Sequence, residues 1–249
     1  MSFADHFSRQ SREYTQFRPR YPRALFEFLA SLPARRDVVW DCGTGNGQAA
    51  VDLAEWFTRV IATDPSANQV AHALTHPRVE YLVASAEACP IESRSVDLVT
   101  VAQALHWFDL TRFFRQVRRV TRSGGVLAAW SYGLATIAPA IDRAIGRLYE
   151  DILGEYWPPE RRLIEQGYET INFPFDPIAG PEFAMTAEWT LDEFLGYLGT
   201  WSSVQKFSET NGRDPLALVA DELSAGWGRA SAPRQVRWPL FVRVGRIDF

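Results

Sequence analysis

The chain has 249 residues, within reach of one α/β domain carrying an embedded subdomain. Hydrophobic residues make up 47% and charged residues 22%, which excludes a disordered or fibrous chain and allows a substantial core. A formal net charge of -4 supplies no basic stripe for nucleic acid, and no run approaches the ~18 apolar residues of a membrane span.

Nucleic acid and membrane are therefore not expected partners. Lys206 is the only lysine, so the basic residues are otherwise arginines. Codon bias accounts for that, as does a preference for planar, bidentate anion recognition. Cys42 and Cys89 form neither a metal spacing nor a disulfide framework, and His6, His72, His76 and His106 form no ligand set with acids or cysteines. No metal is expected. The first ten residues are polar and lack an apolar signal core, so a reducing, cytoplasmic setting is expected.

In chain order, residues 1–35 read as a helical or cap segment. Val38-Val39-Trp40 is a short apolar strand ending at Asp41, and residues 48–57 follow as a helix. A second strand, Val60-Ile61-Ala62, ends at Asp64-Pro65 and leads to a helix over 66–75. Strands over 79–83 and 96–102 follow, the latter apolar enough to be a buried parallel strand. A helix over 109–121 stops at Ser123-Gly124-Gly125, and a fifth strand covers 126–130. This alternation predicts an α/β fold: a doubly wound, mostly parallel, seven-stranded sheet with helices on both faces. Residues 36–132 are its ligand-binding core. Residues 133–181 change character, being rich in aromatics and prolines, and read as an insertion or lid after the fifth strand. Over 182–249 a strand (182–190), helices (191–204 and 214–227) and a last strand (236–247, near an edge) complete a single domain.

Asp41-Cys42-Gly43-Thr44-Gly45-Asn46-Gly47 joins the first strand to its helix. The glycines let backbone bend tightly and approach a ligand, and the helix start adds positive potential. A dinucleotide fingerprint needs glycine where Gln48 stands. The acid at Asp41 suits an ammonium better than a pyrophosphate, and adenosylmethionine carries an ammonium, a sulfonium and no phosphate. Asp64 stands where an acid meets a ribose diol; as a helix N-cap it would serve Ser66 onward.

These residues resemble the class I S-adenosylmethionine-dependent methyltransferases, in the small-molecule (type 11) family. The resemblance runs from Val38 to Trp130. It takes in the glycine loop, the strand ending at Asp64, Ala84–Pro90, the Ser95–Val99 strand with Gln103–Phe108, and the turn at Gly124-Gly125. The segment Tyr14–Pro22, His106-Trp107-Phe108 and Thr200-Trp201-Ser202 are similar to trans-aconitate methyltransferase-like proteins. The resemblance implies S-adenosylmethionine as cofactor and a small-molecule methyl acceptor, with a carboxylate among the candidates. It implies cofactor contacts at Tyr14, Arg18, Asp41, Cys42, Gly43, Thr44, Gly45, Gly47, Asp64, Pro65 and Gln103, with Ala86 and Glu87 at the adenine. Cys42 replaces the usual leucine or valine and packs as a small hydrophobe rather than a nucleophile.

Methyl transfer from a sulfonium is an in-line displacement that needs alignment and exclusion of water. A carboxylate acceptor needs no base, whereas a hydroxyl or C–H acceptor does. His106 is the candidate catalytic residue, as base or hydrogen-bond donor; capping a turn beside Trp107 is its alternative. Trp107, Tyr156, Trp157 and Trp201 are candidate pocket walls, with core packing the competing role. A non-catalytic adenosylmethionine-binding module and a nicotinamide oxidoreductase remain as other readings of the same loop.

Overall fold

The structure, a computed structural model, describes residues 19–248. Strands β1 (Val38–Cys42), β2 (Arg59–Asp64), β3 (Val79–Val83) and β4 (Val96–Ala102) form where apolar, β-branched runs occur. Helix α1 (Arg23–Ser31) precedes them, and α2 (Gln48–Leu53) and α3 (Ala67–Ala71) connect the first three. Helix α4 (Leu110–Val120), N-capped by the Asp109 carboxylate accepting from the Arg112 amide, leads into β5 (Thr121–Tyr132). Farther on lie β6 (Asp176–Pro177), β7 (Phe183–Trp189) and β8 (Arg234–Ile247). The sheet order is β3-β2-β1-β4-β5-β8-β6, with β7 paired to β8. β1 to β5 are parallel, and β8 runs antiparallel to β5. The order reverses between β1 and β4, which makes the crevice beyond their carboxyl ends the switch point.

Among the described residues the sheet has eight strands, where seven were expected. The addition is β6, two residues paired with Arg246 and Gly245, too short to leave an alternating pattern in sequence. Pro177 lacks an amide and suits this edge.

By contact the chain divides into two compact units: a sheet unit of residues 21–133, 162–183 and 240–248, and a helical unit whose described residues are 19–20, 134–161 and 184–239. The stretch 133–181, read as one insertion, is shared between them. In the sheet unit, Phe113, Phe114 and Val117 of α4 lie at helical spacing in one cluster with Trp40, Val99, Val101, Leu127 and Ala129. Burying each large side chain of this kind contributes about 1.5–3 kcal/mol. On the sheet's other face, Tyr21 and Phe26 meet Trp130 edge-on at 5.5 and 6.3 Å.

The helical unit contains α5 (Pro139–Arg147), Arg161 at the start of α6 (Arg161–Glu165), α7 (Leu191–Gly199), α8 (Ser202–Asn211) and α9 (Ala220–Trp227). Phe194 stacks on Trp227 at 5.7 Å, and Trp238 Nε1 donates to Tyr197 Oη at 3.1 Å. The helix expected over 191–204 is broken after Gly199. There the Thr200 hydroxyl bonds back to the Tyr197 carbonyl at 2.7 Å, and extended Trp201 precedes α8. The helix expected from 214 begins as a 3₁₀ turn at Pro215–Leu218, because Asp214 caps the Leu216 amide and proline occupies the first position. The helix expected over 48–57 ends at Leu53.

Candidate active site

β1 ends on a fully buried acid. The Asp41 carboxylate accepts from Thr44 Oγ1 at 2.6 Å and from Thr100 Oγ1 at 2.8 Å. Thr100 is its register partner on β4. Burial pushes the Asp41 carboxyl up to about 6, opposed by these two hydroxyls and reinforced by the nearby Asp64 charge. Asp41 has no surface exposure, so it governs the loop through Thr44 and its field.

The loop turns through three left-handed glycines, with φ of 71° at Gly43, 55° at Gly45 and 82° at Gly47. A Cβ on Gly43 would lie 2.6 Å from Ala104 Cβ, and one on Gly47 would lie 2.1 Å from Tyr81 Oη. A Cβ on Gly45 would meet nothing within 4 Å, so that position faces open space. Two loop amides, Gly43 and Thr44, donate to the Thr63 carbonyl at 2.8 and 3.0 Å. Tyr81 is anchored beneath Gly47 by donating to the Leu74 carbonyl at 2.6 Å, and burial pushes its phenol up to about 12.

Asp64 closes β2 and holds the loop. Its Oδ2 accepts from the Gly45 amide and its Oδ1 from the Ser66 amide, both at 2.9 Å. The N-cap of α3 is Ser66, whose hydroxyl accepts from the Gln69 amide at 3.3 Å. The N-cap residue of α3 is thus Ser66, and Asp64 accepts its amide from two positions before the cap. Cys42 is buried in the apolar cluster, and burial pushes its thiol well above the usual range, as befits a small hydrophobe. Pro65 is exposed beside Asp64. Ala86 is buried, and Glu87 Oε1 accepts from the Asp109 amide at 3.0 Å.

Gln103, directly after β4, has a φ of 55°, a left-handed backbone that costs a non-glycine residue about 1–2 kcal/mol. Its amide donates to the Trp130 carbonyl at 2.9 Å. Its buried Oε1 has no partner among the described residues, and neither do Trp130 Nε1 and Ser131 Oγ at the end of β5. Such groups cost free energy where nothing meets them.

His106 follows in a 3₁₀ turn (Leu105–Trp107). It is buried, its Nδ1 lies 3.0 Å from Tyr168 Oη, and its ring lies 4.7 Å from that of Trp107. Trp107 is 37% exposed. Tyr168 is fully buried with a φ of 62°, and Arg243 Nη1 donates to the Tyr168 and Ile171 carbonyls at 2.6 and 2.7 Å.

Tyr156, Trp157 and Trp201 belong to the helical unit. Trp157 and Trp201 lie 5.5 Å apart, whereas the Tyr156 ring packs on Phe207 at 5.0 Å and its hydroxyl accepts from Asn211. Tyr14 and Arg18 lie outside the described residues. Thr100 and Tyr81 were not singled out from sequence, and Tyr168 was expected only among the aromatics of a lid or acceptor pocket, not as the partner of His106. A threonine inside a valine run reads as core, so the sequence carried no signal for its bond to Asp41.

The description "Methyltransferase domain" belongs to a family model that matches residues 40–129. Over 99% of this chain and 96% of its own length, a protein of Dictyostelium discoideum named as a methyltransferase is 36% identical. A Saccharomyces cerevisiae protein named as an S-adenosylmethionine-dependent methyltransferase is 29% identical over 95% of each chain. A solved structure from Anaeromyxobacter dehalogenans, named as a type II methyltransferase, superposes with a TM-score of 0.89 at 49% identity, covering 93% of this chain and 99% of its own. With its parallel sheet, switch-point glycine loop and acids at the ends of β1 and β2, the chain belongs to the class I S-adenosylmethionine-dependent methyltransferases.

Proposed function

We propose that the chain transfers a methyl group from S-adenosylmethionine to a small-molecule acceptor in a cytoplasmic, reducing setting. The observation that carries the reading is Gln103: a strained residue at the β4 end of the switch point, with a buried acceptor atom that has no partner among the described residues. An ammonium donor satisfies that oxygen; a phosphate does not. The other residues fit the same cofactor. Gly45 faces open space and lets backbone approach it, with Gly43, Thr44 and Gly47 holding the turn. Asp64 orients the loop and presents its carboxylate to the ribose hydroxyls, beside Pro65. Ala86 and Glu87 flank the adenine. Cys42 and Asp41 act behind the loop, on its shape and field.

When bound, the cofactor supplies an electrophilic methyl on a sulfonium. The chain's part is to align an acceptor, exclude water and, for a hydroxyl or amine, hold its proton. His106 is the residue for that proton. Its Nδ1 is tied to Tyr168, so proton movement falls to Nε2. Trp107, its ring tilted 47° to that of the histidine, packs beside it as a wall. No helix among the described residues is long and apolar enough to cross a membrane, which agrees with a small-molecule acceptor met in solution.

Incubation with methyl-labelled S-adenosylmethionine and panels of small alcohols, amines and acids tests the reading. The expected result is one labelled class; for an alcohol or amine, His106→Gln lowers kcat by about 10²–10⁴-fold at unchanged cofactor affinity. Full turnover by His106→Gln would remove the histidine from the mechanism.

A further inference from the structure

In the helical unit one guanidinium is fixed in place with its fork left open. Arg161 lies 4.7 Å over the Trp157 ring and 5.5 Å over Tyr149, and its Nε donates to Tyr149 Oη at 2.8 Å. The rings beneath it are themselves held. Trp157 Nε1 donates to the Tyr149 carbonyl at 3.1 Å, and Trp201 packs on Trp157 and Tyr149 at 5.5 and 5.8 Å. Tyr149 and Trp201 are buried.

The other half-buried arginines each commit a terminal nitrogen. Arg119 donates to the Ile91 and Cys89 carbonyls, Arg122 to Asp97, Arg234 to the Trp227 carbonyl, Arg243 to Tyr168 and Ile171, and Arg246 to Gly124. Nη1 and Nη2 of Arg161 have no partner among the described residues. The guanidinium plane is thus oriented before any ligand arrives, which lowers the ordering cost of binding. Two parallel N–H bonds on a fixed plane match the two oxygens of a carboxylate, and the aromatic walls strengthen the pair by excluding water.

We propose that Arg161 is a carboxylate-binding residue of the helical unit, a site that stands apart from the methyl-transfer reading.

Saturation-transfer NMR titrations of the full chain with benzoate and succinate test the site, with benzamide as a neutral control and inorganic phosphate, which has no C–H proton, read by its displacement of the bound acid. Calorimetry with S-adenosylmethionine runs in parallel. The expected result is saturable binding of at least one acid, none of benzamide, and weaker binding of phosphate. Arg161→Lys should weaken the acid about tenfold and Arg161→Gln further, since charge-assisted bidentate bonds are lost stepwise. Cofactor affinity should be unchanged in both variants, which also reports that they are folded. Absence of acid binding, equal acid binding by Arg161→Gln, or phosphate binding as tight as the acid overturns the proposal. Acid binding retained in a chain that does not bind S-adenosylmethionine overturns the methyl-transfer reading and leaves the site standing.

Discussion

Asp41 and the glycines it precedes set the behaviour of the loop residue by residue. An aspartate titrates near 3.9 when unfolded, and Asp41 is pushed up to about 6 in the fold by burial. Between those values the folded chain holds a proton that the unfolded chain has released. Stability from this group is therefore complete below about pH 4 and is lost as pH rises through 6, by on the order of 3 kcal/mol. Asp41→Asn is expected to flatten that decline in thermal melts from pH 4 to 8; a slope identical to the parent's would contradict the assignment. Two glycine variants separate strain from collision. Gly45→Ala meets nothing within 4 Å and should cost about 1 kcal/mol through its φ alone. Gly47→Ala must also displace Tyr81 Oη, 2.1 Å away, and should cost at least about 2–3 kcal/mol more in denaturant unfolding. The acids and glycines were legible in sequence because their spacing is local. Thr100 was not, since a threonine in a valine strand looks like core. Gln103 gave no sign of its left-handed backbone, because its side chain is not glycine, asparagine or aspartate.

Secondary elements were legible where their period was long. The amphipathic α4, with Phe113, Phe114, Val117 and Val120 on one face, and the apolar β4 fall within a residue or two of expectation. Short or interrupted pieces were not. β6 is two residues, and the gap between α7 and α8 turns on the Thr200 hydroxyl and the packing of Trp201. The link between His106 and Tyr168 spans 62 positions and no pattern connects them. It depends on Arg243 of β8, which grips the turn at Tyr168 and Ile171 and lies 4.9 Å over Phe173. Arg243→Ala is expected to destabilise the chain by about 2–4 kcal/mol, having left two carbonyls without their charged donor. It should also lower kcat more than it changes cofactor affinity. Stability loss alone, with normal turnover in the folded fraction, would uncouple the grip from His106.

Across the whole molecule, the sheet topology was readable from strand–helix alternation, whereas the division into two units was not. Residues of the helical unit come from 134–161 and 184–239, and such a discontinuous grouping leaves no boundary signal in composition. The amino end of the sheet is tied by Asp97, whose Oδ2 accepts from the Asp37 and Val38 amides at 2.9 Å while its Oδ1 accepts from Arg122 at 2.5 Å. Asp97→Ala, which leaves the Asp37 and Val38 amides and the half-buried Arg122 without their acceptor, should cost about 1–3 kcal/mol in denaturant unfolding, far from the carboxyl-end crevice. Methyl transfer depends on that crevice, between β1 and β4, taking S-adenosylmethionine. Calorimetric titration with S-adenosylmethionine, with NADH in parallel, tests it most directly in the parent chain and in Asp64→Asn and Gln103→Leu. The expected result is binding of S-adenosylmethionine alone, weakened about tenfold or more by each substitution. Binding of NADH instead, or undiminished affinity in both variants, would contradict it.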